Sequence, residues 1–233
     1  QQQAAAPERP KLYNTAKQKL LEGKTISGYT ISRPDPELYC QAAPHYDYIW
    51  IEMQHSTLTF ADVEKMIGTC PKAGIPMIRV ADELESTLQH ATDVGALGII
   101  MPTVDTPEKA MATVKYSKFP MDGRRSSGQA QASRIWGPNY RETANDNILI
   151  VVMIETPVGV ANAYDIARVP GVDVVIVANN DLASFSGTKP GEPAYEDMIT
   201  KVKLATLKAG KIFGAASMEA TAKRPDKADF KMF

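Results

Sequence analysis

The chain has 233 residues, 44% of them hydrophobic and 23% charged, a composition that excludes disordered and fibrous classes. Its 26 basic and 27 acidic side chains leave a formal charge of −1, which provides no electrostatic footprint for nucleic acid or an anionic membrane. No apolar run reaches the ~18–20 residues of a bilayer-crossing helix, and the two cysteines, Cys40 and Cys70, supply neither a disulfide framework nor a CxxC zinc spacing.

Residues 1–14 read as a flexible tail, because Gln1–Pro10 (QQQAAAPERP) is of low complexity and uncapped. It has neither the charged nor the apolar region of a signal peptide. A cytoplasmic location is the expectation, with a leader removed ahead of Gln1 as the alternative. Residues 15–233 read as one domain. Apolar, β-branched runs recur at Thr25–Ile31, Tyr48–Met53, Pro76–Val80, Gly98–Pro102, Ile148–Ile154, Asp173–Val177 and Lys211–Ala215, and an eighth begins at Asp229–Phe233. Amphipathic stretches lie between them, at Phe60–Cys70, Leu84–Val94, Pro107–Tyr116, Val158–Arg168 and Tyr195–Ala209. The fifth run, ILIVVMI, is apolar throughout, as a strand covered on both faces should be. Repeated βα units predict a parallel sheet; eight would close a (β/α)8 barrel, and six or seven would suit an open doubly wound sheet. No GxGxxG follows the first strand, which counts against the dinucleotide-binding version. Residues 117–147 break the alternation and read as a long loop over the active face.

Barrel active sites are built at strand C-terminal ends. Here the second strand ends in Glu52-Met-Gln-His55, the third carries Arg79, the fifth ends in Glu155, and the sixth runs into Asn179-Asn180-Asp181. Singly, each has a structural reading: His55 as a cap, Arg79 in an ion-pair network, Glu155 as the first charge after a buried strand, Asp181 as a helix N-cap. Together they bring an acid–histidine pair, a guanidinium and two carboxylates to one rim. Two carboxylates one βα unit apart suit Mg²⁺ or Mn²⁺ completed by water and substrate oxygens. The three histidines have no zinc-ligand spacing. Such a rim suits enolate formation from a 2-oxo acid, with the metal as Lewis acid, Arg79 stabilising the same oxygen, and His55 moving the proton with Glu52 to orient it. A Schiff-base route needs a lysine ending a strand, and these strand ends carry none.

The segments DYIWIEMQH (47–55), PMIRV (76–80), DVGALGIIMP (93–102), FPMDGRR (119–125), MIET (153–156) and VD…NDL (172–182) resemble the HpcH/HpaI aldolases, metal-dependent class II pyruvate aldolases such as 4-hydroxy-2-oxoheptanedioate aldolase of aromatic compound catabolism. The likeness runs from about residue 28 to 215. It implies a (β/α)8 barrel, a hexamer built as a trimer of dimers, and reversible aldol cleavage of a 4-hydroxy-2-oxo acid to pyruvate and an aldehyde. By motif position, Glu155 and Asp181 would hold the metal (Mg²⁺, Mn²⁺ or Co²⁺), His55 would be the base and Arg79 would bind the keto oxygen. Backbone amides at Asn180 and Asp181 would hold the pyruvate carboxylate, and Arg125 and Tyr29 would lie on the substrate side. The chain departs from the family at Glu52 (commonly Asp), Met153 (commonly Gln), Tyr29 (often Trp) and Asn179-Asn180 (more usually Pro-Ala), changes that bear on aldehyde specificity. Relative to the family the eighth strand barely starts and the last helix is missing, so the C-terminal end reads as truncated. Alternatives are oxaloacetate decarboxylation through the same enolate, a non-catalytic 2-oxo-acid-binding barrel, and a CoA-ester lyase of the citrate-lyase β type. The last would need a basic patch for the CoA phosphates, which is not evident.

Overall fold

The structure, a computed structural model, describes residues 12–233. Helix α1 (Thr15–Leu21) precedes β1 (Gly28–Ile31), α2 (Pro36–Ala42) and β2 (Tyr48–Glu52). Next come α3 (Phe60–Thr69), β3 (Ile75–Arg79), α4 (Glu85–Asp93), β4 (Gly98–Met101) and α5 (Pro107–Ser117). Two helices, α6 (Ala130–Trp136) and α7 (Tyr140–Asn147), intervene before β5 (Leu149–Ile154), which is followed by α8 (Pro157–Ala161) and α9 (Ala163–Ala167). The chain then forms β6 (Val174–Val177), α10 (Asn179–Ser186), α11 (Pro193–Lys208), β7 (Ile212–Ala215) and α12 (Met218–Thr221).

The seven strands pair in chain order as one curled parallel sheet, so every strand C-terminus meets one rim. Residues β5 contributes are all fully buried, in keeping with its unbroken apolar run. Threonine caps start three of the helices: Thr59 and Asp62 form a reciprocal capping box at α3, and Thr106-Pro107 and Thr156-Pro157 open α5 and α8. The stretch expected as one helix at 158–168 is two short helices that meet at Asn162.

In place of a full eighth strand, the last residues make an isolated bridge, Ile26 to Met232. Around it, Lys231 N–H donates to Phe213 O (2.8 Å) and Ala215 N–H to Met232 O (3.0 Å), while Ile26 N–H donates to Lys231 O (2.8 Å) and Gly28 N–H to Phe233 O (2.9 Å). The segment therefore joins β7 to the chain entering β1 and gives the sheet a barrel-like form. Gly214 permits the approach, because a Cβ there would lie 2.7 Å from Met232 O.

Three expectations are corrected. Of residues 1–14, 1–11 lie outside the described residues. Tyr13 and Asn14 are anchored rather than free: Tyr13 stacks on Trp136, and Asn14, buried, caps α1 and donates to Leu97 O and Asn147 O. Residues 117–147 are not a loop over the active face. They contain α6 and α7, and they follow a helix, so they connect at the N-terminal ends of the strands. Gln131 donates to Val94 O and Trp136 to Gly95 O, both in the turn that leads into β4. Finally, Cys40 and Cys70 form a disulfide that ties α2 to the end of α3.

Candidate active site

Glu52 ends β2 with its carboxylate buried and four donors upon it. Oε2 accepts from the Trp50 indole (3.0 Å) and from Arg79 Nε; Oε1 accepts from the backbone N–H groups of Gln54 (2.8 Å) and His55 (3.0 Å). The register puts Glu52 directly opposite Arg79, so the ion pair follows from strand pairing. The Arg79 guanidinium also sits over the Trp50 ring, 5.4 Å from its centre. Glu52 therefore does not orient the His55 ring as expected. Its oxygens are taken up by Arg79, the indole and backbone, and it fixes the loop that carries His55 by holding that residue's N–H. The His55 side chain is exposed, with no hydrogen-bond partner among the described residues.

Glu155 follows β5 and is buried. Its Oε2 accepts from Thr103 N–H (2.8 Å) and Thr103 Oγ1–H (2.6 Å), whereas Oε1 is buried without a partner. Burial pushes the carboxyl above the usual carboxylate range. The Thr103 donors pull it back, the negative charge of Asp181 pushes it up further, and the positive charge of Arg79 lowers it. These effects put Asp181 and Arg79 each within electrostatic range of Glu155. Asp181 lies half-buried in the first turn of α10, beside exposed Asn180, where the helix N-terminus favours negative charge. Behind that turn, the buried Asn179 side chain donates to the Tyr195 hydroxyl (3.0 Å).

A buried carboxylate oxygen without a donor, close to a second carboxylate, is what a hard divalent cation would satisfy. Among the described residues no cluster of three or more His, Cys, Asp or Glu forms, so such a cation would draw its remaining ligands from water or substrate oxygens. The donor set fits Mg²⁺ or Mn²⁺ rather than zinc.

Two expected residues are not brought to this rim. The Arg125 side chain is fully buried beside the end of α4, donating to Asp93 Oδ1 (2.6 Å) and to the Tyr140 hydroxyl (2.8 Å), with its guanidinium 4.3 Å from the Phe119 ring centre. It is a packing element at the far end of the sheet, because its segment follows α5 rather than a strand. Tyr29 alternates with Gly28, whose Cβ position would run into the Tyr48 ring. The face shared by Tyr48, Trp50 and Glu52 is therefore that of Gly28 and Thr30. Tyr29 points to the other face and packs against Tyr46, ring centres 5.3 Å apart.

Thr103 and Trp50 were not anticipated. Trp50 was findable, two residues before Glu52 on a strand and hence on its face. Thr103 left no signal in the residue pattern, since its role depends on a left-handed backbone, φ +49°.

The model of the HpcH/HpaI aldolase/citrate lyase family matches residues 38–229. A 4-hydroxy-2-oxovalerate aldolase of Rhodococcus jostii is 32% identical over 194 residues, 79% of this chain and 73% of that protein. A 2-keto-3-deoxy-L-rhamnonate aldolase of Salmonella gallinarum is 30% identical over 216 residues, 89% of this chain and 80% of its own length. The crystal structure of a Burkholderia cenocepacia protein of the same family superposes with a TM-score of 0.84 at 27% identity, covering 94% of this chain and 91% of that one. The chain thus belongs to the HpcH/HpaI aldolase/citrate lyase family.

Proposed function

We propose that the protein is a divalent-metal-dependent carbon–carbon lyase that cleaves a 4-hydroxy-2-oxo acid reversibly to pyruvate and an aldehyde. The observation that carries this reading is the buried, partnerless Oε1 of Glu155 beside Asp181 and Arg79. The relatives described above are named as aldolases of 2-oxo acids, which agrees with it. Glu155 and Asp181 would hold Mg²⁺ or Mn²⁺, which when bound supplies Lewis acidity at the substrate's C2 oxygen.

The chain's own groups have distinct tasks. Arg79, kept in place by Glu52, presents positive charge where negative charge grows on the C2 oxygen as the C3–C4 bond breaks. The N–H groups of Asn180 and Asp181, unsatisfied in the first turn of α10, suit the substrate carboxylate. His55, free at its ring and fixed at its backbone, takes the C4 hydroxyl proton as the aldehyde leaves. That proton, passed on from His55 to C3, gives pyruvate and returns the histidine to its starting state. The ladder of bonds around Met232 supports treating the fold as an eight-unit (β/α)8 barrel. The Cys40–Cys70 bridge favours an oxidising compartment over the cytoplasm, since thiols stay reduced in the cytosol.

The test is deuterium exchange at the pyruvate methyl group in D₂O, with and without Mn²⁺. Exchange should depend on the metal and fall at least about 100-fold in Glu155→Gln and Asp181→Asn, with circular dichroism unchanged. Exchange that proceeds equally without metal, or undiminished in both variants, would sink the proposal.

A further inference from the structure

Thr103 combines two unusual features at one position. It sits just past β4 with φ +49°, a left-handed backbone that β-branched side chains rarely adopt and that glycine adopts freely. It also turns both its donors, the backbone N–H and the hydroxyl, onto the same oxygen of Glu155. The ladder shows how the chain makes room for this. Met101 pairs with Val152, and Val104 N–H donates to Met153 O (2.9 Å), so Pro102 and Thr103 bulge out of the β4–β5 pairing towards the rim.

If the left-handed turn alone were needed, glycine would serve it without steric conflict. A threonine there gains something only through its hydroxyl, and that hydroxyl goes to Glu155. With Oε2 held by two donors, the carboxylate cannot rotate freely, and Oε1 is left buried and unpartnered. Oε1 is the oxygen available to a cation.

We propose that Thr103 is a positioning residue: it holds Glu155 by Oε2 so that Oε1 alone is presented to the divalent cation. The inference rests on Glu155 being a cation ligand. It goes further by assigning the ligating oxygen and the residue that selects it. Residues that orient metal ligands from behind change affinity by roughly 10–100-fold when removed.

The experiment measures Mn²⁺ affinity by calorimetry or by the free-Mn²⁺ electron paramagnetic resonance signal, together with melting temperature. It uses the full chain and the variants Thr103→Gly, Thr103→Ser and Glu155→Gln. Thr103→Gly removes the hydroxyl and relaxes the backbone, so Mn²⁺ affinity should fall about 10-fold or more while the melting temperature holds or rises. A purely structural role for Thr103 would move the two together. Thr103→Ser, which keeps the hydroxyl, should recover most of the affinity. Wild-type affinity in Thr103→Gly, with binding lost in Glu155→Gln, overturns the role of Thr103 and leaves the site intact. Equal weakening in Thr103→Gly and Thr103→Ser also overturns it. Wild-type affinity in Glu155→Gln removes Glu155 from the site and the proposal with it.

Discussion

Glu52 and Arg79 are locked together by strand register before any ligand arrives. Both side chains are largely withdrawn from water, 6% and 14% exposed, and Glu52 also satisfies the Trp50 indole and two backbone N–H groups. Truncating one partner of such a pair leaves the other charge buried, a loss of about 3–5 kcal/mol. Glu52→Ala should therefore lower unfolding free energy by that amount in urea titrations, and a loss below about 1 kcal/mol would mean that water reaches Arg79 readily. Glu155 makes stability depend on pH. Its folded pKa is raised, so without a cation the native state binds its proton more tightly than the unfolded chain does. Its contribution to stability is complete below the ordinary carboxylate range and is lost as pH rises through the raised value. The melting temperature of cation-free wild type should fall relative to Glu155→Gln across that window, and Mn²⁺ should reverse the trend. Equal pH profiles for the two proteins would show that burial imposes no cost on the charge. At this scale Glu155 was legible, being the first charge after six buried apolar positions. Thr103 was not, because a single left-handed residue and its reach across to the next strand leave no periodic trace.

Among the elements, chain direction decides which end of the sheet a connection serves. Segments after a strand, such as 53–59 and 178–181, reach the rim with Glu155; segments after a helix return to the other end. Residues 117–147 break the βα alternation and lack periodicity over a length that suggests an active-face loop. Their place after α5 puts them at the opposite end, with Arg125 in the packing between Asp93, Tyr140 and Phe119. Composition marked the segment as unusual, and only connectivity says where it lies. The cysteines teach a related lesson. Nothing in a separation of 30 residues reveals pairing, and only the packing of α2 against the end of α3 brings Cys40 to Cys70. Closing a loop of that length restricts the unfolded chain by about 3–4 kcal/mol in the chain-entropy account. The double variant Cys40→Ser/Cys70→Ser should lose about 2–4 kcal/mol of stability, and wild type under reducing conditions should lose the same. Wild-type stability in both would mean that the bridge does not form in solution.

Across the whole molecule, the parallel sheet would present two unpaired edges, β1 and β7, if the last residues did not lie between them. Open edges of this kind invite association with other chains. Lys231–Phe233 satisfies both edges at once, and Phe233 O accepts from the Tyr48 hydroxyl (2.5 Å) as well as from Gly28 N–H. Phe230, fully buried, anchors the segment against Phe213 with ring centres 4.7 Å apart. The ring should be worth about 3–5 kcal/mol, the usual loss when a buried phenylalanine becomes alanine, and each ladder bond adds about 0.5–1.5 kcal/mol. Phe230→Ala should therefore destabilise the fold by about 3–5 kcal/mol. Removal of Lys231–Phe233 should in addition expose the amides of Ile26, Gly28 and Ala215 to rapid hydrogen exchange, while amides at the centre of β5 stay protected. Because the rim with Glu155 and Asp181 is carried by β5 and the chain after β6, away from the seam, Mn²⁺ affinity should survive the truncation at temperatures where the protein remains folded. Loss of cation binding in a truncated chain whose β5 amides are still protected would show instead that the seam, and not the local strand ends, sets the geometry of the site.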